Sequence, residues 1–243
     1  MEPNDQAAVV GDEALLHAAV AATWTCADRR MSGQAAVAAG AEALLLDDGL
    51  QNPGLQKHLS LLTIDGATGF GNGRVLPAGP LREPVAAAAA RCQVAVLIGE
   101  DATGALRRLP PGLPVLRARL APEPDAASLA GQRVLGFAGI AMPDKFFTTL
   151  AETGAEVVAR VPFPDHHRYT AEELSLLLTQ AERLGAIPVT TRKDAVRLPD
   201  SLRPCIQVMG IRLIWEDPAA PERALGDAIN AWAAEGRNRR GYV

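Results

Sequence analysis

The run Ala43-Leu44-Leu45-Leu46, closed by Asp47-Asp48-Gly49, constrains the fold of this chain more than any other stretch. An aliphatic run without polar alternation reads as a strand buried on both faces, the condition of strands in a helix-covered parallel sheet. Two carboxylates and a turn glycine at its carboxyl end stand where open parallel sheets bind ligands. Similar apolar runs recur at 59–64, 93–98, 133–138, 155–161 and 187–190, and residues 206–214 alternate as a final strand. Helical patterns fill residues 13–20, 32–41, 143–153, 171–184 and 221–234. Thr170 followed by Glu172-Glu173 has the composition of a capped helix start. Strands that alternate with helices predict an α/β layered fold.

The expected organisation is an incomplete first α/β domain over 1–108, a proline- and arginine-rich linker over 109–124, a smaller α/β domain over 125–220, and a closing helix with a frayed tail over 221–243. An extended strand is expected within 113–120. Residues 65–84 form a long irregular segment, and such loops in compact domains serve function or are disordered. With 48% hydrophobic and 21% charged residues the chain is globular, and its net charge of -4 offers no basic excess for a nucleic-acid partner. Cys26, Cys92 and Cys205 are widely spaced, which argues against a zinc site or a disulfide framework and fits a reducing cytoplasm. No apolar run reaches the roughly 20 residues needed to span a bilayer, and the acidic start lacks a signal-peptide pattern.

Four clusters carry candidate chemistry. Asp12 and Glu13 follow Val10-Gly11 at a helix start; they serve either the helix dipole or, through Asp12, as a general base for a hydroxyl proton. Asp47-Asp48 is either a polar turn or a pair that binds a hard cation such as magnesium, since adjacent carboxylates repel unless compensated. The segment 70–84 combines glycines and prolines with Arg82, suited to phosphate, and Glu83, suited to a metal or a ribose hydroxyl. In Asp165-His166-His167 the two histidines are consecutive and point apart, which suits proton relay from a nearby acid better than chelation; the other reading is a surface loop with no role. Lys193 reads as a solvated charge at a strand end.

In P-loop kinases and ATPases a strand-end aspartate such as Asp47 holds nucleotide-bound magnesium. Those proteins also carry the phosphate loop G-x-x-x-x-G-K-[ST], which this sequence does not contain. Yet Gly11-Asp12-Glu13, Asp47-Asp48-Gly49-Leu50-Gln51, residues 69–84, Phe137-Ala138-Gly139-Ile140, residues 146–150, Asp165-His166 and residues 191–196, in that order, resemble the tetraacyldisaccharide 4'-kinases acting on the lipid A precursor. The resemblance covers nearly the whole chain. It implies a P-loop NTPase-like parallel sheet layered with helices, its first strand and P-loop missing here, plus a smaller C-terminal α/β domain.

The resemblance further implies ATP- and Mg2+-dependent phosphorylation of the 4'-hydroxyl of a tetraacylated glucosamine disaccharide phosphate. The reaction is expected at the cytoplasmic face of the inner membrane, with peripheral membrane contact. Asp12 matches the family's catalytic base and His166 its partner. Asp47 and Asp48 match the magnesium pair, and Arg82 and Glu83 fall in the loop that closes on nucleotide and metal. Two positions depart from the pattern: Asn52 replaces a histidine, and Arg192 replaces a glutamate. Family members also carry a P-loop unit ahead of Gly-Asp-Glu. The expectation is therefore a kinase by descent, read from an internal start or truncated, whose turnover needs that unit upstream. The alternatives are a non-catalytic homologue that binds glycolipid or a partner, and a magnesium-dependent hydrolase using Asp12 and His166.

Overall fold

The computed structural model describes residues 7–236, so the tail expected at 237–243 lies outside the described residues. In chain order the helices and strands are α1 (Ala7–Val10), α2 (Asp12–Ala18), α3 (Arg29–Ala38), β1 (Leu61–Asp65), α4 (Val85–Ala89), β2 (Val94–Ile98), β3 (Val115–Pro122) and β4 (Arg133–Ala138). They continue as α5 (Pro143–Glu152), β5 (Glu156–Pro162), α6 (Ala171–Arg183), β6 (Ile187–Thr191), α7 (Arg192–Ala195), β7 (Gln207–Met209), β8 (Ile211–Trp215) and α8 (Ala220–Gly236). Two compact units emerge, each made of two stretches of chain: residues 1–42 with 121–212, and residues 43–120 with 213–243. This differs from a division into consecutive domains at 108 and 124.

The unit containing 121–212 is built on the sheet β5-β4-β6-β7, and its neighbouring strands are parallel. Period-two alternation along β4 sends Val134 and Ala138 to one core with Phe146, Phe147 and Leu150 of α5. Leu135 and Phe137 face the other core, with Leu174, Leu177 and Ala181 of α6. Gly136 lets α5 approach, because a Cβ there would meet Leu150 Cδ2 at 2.9 Å and Phe147 Cδ1 at 3.2 Å. The expected cap of α6 is present as a reciprocal capping box between Thr170 and Glu173.

The other unit is built on the sheet ordered β1-β2-β3-β8, with β1–β2 and β2–β3 parallel. Its core cluster, Ile64, Ala95, Leu97 and Ala105, is small. The strand expected at 43–46 does not form, and this is a correction: Leu44 is 40% and Leu45 99% exposed. A parallel strand exists only where a neighbour takes up its N–H and C=O groups. Among the described residues β1 ends this sheet, and residues 43–46 have no strand partner. The apolar composition was legible, but composition alone does not supply a ladder.

Most of the expected linker 109–124 is also ordered. Its prolines 110, 111 and 114 precede a strand, where no ladder bond is lost. Residues 115–118 then pair with 95–98 as β3. The strand expected at 206–214 breaks at Gly210 into β7 and β8, which join different sheets. The Gly210 carbonyl accepts the Glu123 amide at 3.0 Å, and a Cβ at Gly210 would collide with the paired side chains of Glu123 and Arg192.

Candidate active site

In the unit containing β4, Gly11 adopts φ 89°, a left-handed conformation that opens α2 and places Asp12 at its first position. Asp12 is buried, and its Oδ2 accepts hydrogen bonds from His166 Nδ1 and from Arg197 Nε, both at 2.8 Å. Burial works against its ionised form. Hydrogen bonds and charge from Arg197 and His166 outweigh that penalty and hold its pKa below the ordinary aspartate value. The carboxylate is thus anionic, and His166 carries its proton on Nδ1 to donate to it.

His166 occupies the turn after β5 at φ 56°, with its amide donating to the Gly139 carbonyl at 3.0 Å. Its ring is 65% exposed, so the edge away from Asp12 meets solvent. His167 turns elsewhere: its Nε2 contacts Glu173 at 3.1 Å, and its ring stacks on Phe163. The two consecutive histidines therefore serve different partners, as their spacing predicted. Lys193, expected as a solvated charge, pairs with Glu13 at 2.5 Å.

Three residues of this cluster escaped the sequence reading. Asp194 is fully buried and accepts the Tyr169 hydroxyl at 2.8 Å, the Thr191 hydroxyl at 2.6 Å and the Gly139 amide at 2.9 Å. Burial, followed by the negative charge of Asp194, pushes the Tyr169 phenol far above its ordinary range and keeps it a neutral donor. Arg197 bridges Asp194 and Asp12, with its side chain only 5% exposed. The signal available was the i,i+3 spacing of Asp194 and Arg197, one residue past the motif at 191–196.

In the unit containing β1, Asp48 sits in a turn at φ 47° and its Oδ2 pairs with Arg82 Nη1 at 2.6 Å. Both side chains are more than half exposed. Glu83 is gripped by Arg91 through two bonds of 2.6 and 2.7 Å and accepts the Gln51 amide at 2.9 Å. Arg91 is the chief reason its pKa lies below the ordinary glutamate value. Asp48, Gln51, Arg82 and Glu83 line an open cleft of about 260 Å³ whose floor includes Leu62, Val85 and Ala88.

The loop 69–84 is ordered by its own bonds. Val75 and Leu81 form a β-bridge, the Asn72 side-chain amide donates to the Ala78 carbonyl at 2.8 Å, and the Leu76–Pro77 peptide is cis. Arg108 lies over the Phe70 ring and donates to the Gly73 carbonyl. The structure thus gathers Asp48, Arg82 and Glu83 on one cleft and Asp12 with His166 on another cluster.

The sequence pattern of the tetraacyldisaccharide-1-P 4'-kinase family, LpxK, matches residues 1–230. The tetraacyldisaccharide 4'-kinase of Rhodospirillum centenum is 55% identical over 92% of this chain and 67% of its own length. That of Gluconacetobacter diazotrophicus is 55% identical over 90% of this chain and 67% of its own. The chain belongs to this family. It spans about two thirds of the length of these relatives. The LpxK of Aquifex aeolicus, solved as an "apo" form in complex with ATP, matches with a TM-score of 0.68 at 23% identity, over 93% of this chain and 71% of that one. That likeness supports the P-loop NTPase-like α/β fold expected from the sequence.

A kinase of this family invites a test of the residues for a hard divalent cation. Among the described residues no group of three or more histidine, cysteine, aspartate or glutamate side chains converges. Magnesium does not need one: it keeps several waters and is held by one or two carboxylates together with substrate phosphates. Asp48 lines the open cleft, and with Asp47 next to it in the chain it supplies two consecutive oxygen donors that fit that mode.

Proposed function

We propose that the chain acts in ATP-dependent phosphorylation of the 4'-hydroxyl of tetraacyldisaccharide 1-phosphate, the step that forms lipid IVA. Membership in the family supports the reaction and favours it over a non-catalytic binder or a hydrolase. The observation that carries the chemistry is the buried, ionised Asp12 held by His166 and Arg197. A carboxylate fixed in this way accepts the proton of an attacking hydroxyl, and His166 orients it through its Nδ1–H bond. Phosphoryl transfer then depends on charge neutralisation and positioning rather than covalent chemistry.

Arg82 is assigned to the nucleotide phosphates, exchanging its present partner Asp48 for a ligand oxygen. Glu83 is assigned to the nucleotide and its metal, pre-aimed by Arg91 and Gln51. Asp47 and Asp48 would hold magnesium, which when bound neutralises phosphate charge. The acceptor is a glycolipid, so the reading includes peripheral contact at the cytoplasmic face of the inner membrane. Among the described residues no helix is long and apolar enough to cross a membrane. The test is transfer of labelled phosphate from ATP to tetraacyldisaccharide 1-phosphate by the wild-type protein and by Asp12→Asn. Transfer by Asp12→Asn equal to a measurable wild-type rate would remove Asp12 from the role of base.

A further inference from the structure

We propose that Arg197 is the positioning residue of this site: one guanidinium aims the Asp12 carboxylate and at the same time fixes the turn that carries His166. The inference rests on the reading of Asp12 as the base. Arg197 reaches Asp12 Oδ2 twice, through Nε at 2.8 Å and Nη2 at 2.5 Å. His166 Nδ1 meets the same oxygen. None of these bonds uses Oδ1, so Oδ1 is the oxygen left to take the substrate proton.

The third nitrogen of the fork does different work. Arg197 Nη1 donates to the Gly139 carbonyl at 2.8 Å, the same carbonyl that accepts the His166 amide. It also pairs with Asp194 Oδ1 at 3.2 Å. Asp194 is itself immobilised by Tyr169, Thr191 and the Gly139 amide, so the guanidinium is anchored at its far end to a fully buried acid. A guanidinium is planar and presents its donors in a rigid fork; a lysine ammonium offers a point charge that cannot span these three acceptors with the same geometry. A small error in placing a reacting group costs rate out of proportion to its size. The charged groups around Asp12 are Arg197 and His166 in direct contact, Asp194 behind Arg197, the Glu13–Lys193 pair beside α2, and Asp165 beside His166.

The experiment compares wild type, Arg197→Lys, Arg197→Gln and Asp12→Asn as full chains. It follows kcat, KM and the pH profile of phosphoryl transfer, thermal unfolding, and the Asp12 carboxyl titration by carbon-13 NMR. Arg197→Lys keeps the charge, and a folded variant is expected to lose about tenfold or more in kcat with little change in KM. Arg197→Gln removes the charge, and its Asp12 midpoint is expected to rise by about one pH unit or more, with the acid limb of kcat moving the same way. A folded Arg197→Lys with wild-type kcat, or a folded Arg197→Gln with an unmoved Asp12 midpoint, overturns the positioning role. If Arg197→Gln does not fold, Arg197→Lys decides alone. Asp12→Asn separates the two claims. If Asp12→Asn keeps wild-type kcat, the base reading falls and takes the proposal with it. If it is inactive while Arg197→Lys is unaffected, the proposal alone fails.

Discussion

Asp12 and Asp48 are both aspartates paired with an arginine, and the two pairs behave as different materials. Asp12 and Arg197 are 9% and 5% exposed, whereas Asp48 and Arg82 are 59% and 57% exposed. A buried pair of this kind is strongly destabilising to break, because the surviving charge is left without solvent or partner. An exposed pair contributes about 0–1 kcal/mol and exchanges partners readily. The first suits a group whose direction must not change. The second suits groups that trade one ion for another when a ligand arrives.

The sharpest break in this comparison is Asp12→Asn, which keeps the shape and removes the carboxylate proposed as the base. It is expected to reduce phosphoryl transfer by about 10²-fold or more, measured as kcat on tetraacyldisaccharide 1-phosphate. Next, Asp194→Ala leaves the Tyr169 hydroxyl and the Gly139 amide without their acceptor inside the protein and takes one of the two buried carboxylates from Arg197. Denaturant unfolding should register a loss of about 3–5 kcal/mol for it. A smaller effect is the acid dependence of stability. The folded pKa of Asp12 is depressed, so its contribution is present above the ordinary value of 3.8 and is lost as pH falls through the lower folded value. Asp12→Asn should therefore flatten the stability profile below that pH. The least disruptive change is Arg82→Gln, expected to shift unfolding by under about 0.5 kcal/mol while raising KM for ATP. A large stability loss from Arg82→Gln would erase the distinction between the two pairs.

The unit around β4 was the more legible in sequence. Its strands and larger helices have local signals, such as the alternation in 133–138 and the Thr170–Glu173 cap, and tertiary packing agreed with all but the last strand, which stops at Gly210. The unit around β1 was read less well, because there the outcome depends on pairing. Residues 43–46 have the composition of a buried strand without a neighbour, and residues 115–122 have the prolines of a linker yet find one. The site divides along similar lines. Asp12 and His166 were visible as motifs and the structure joins them. Arg197 lay just outside any motif and Asp194 lay inside the motif 191–196 with no role assigned, because their importance arises from contacts across long stretches of chain that spacing does not encode.

Asp12 lies 154 residues before His166 and 185 before Arg197. During synthesis the aspartate leaves the ribosome before either of these partners, and the whole of 43–120 is made in between. Closing so long a loop is slow, and domains of vectorially made chains form as their parts emerge. The carboxylate gains the guanidinium that holds it only after residue 197 has been translated and docked. A chain arrested anywhere before that point carries the motif without the partners that hold its carboxylate, so under the role proposed for Asp12 the order of translation itself withholds catalysis from unfinished molecules.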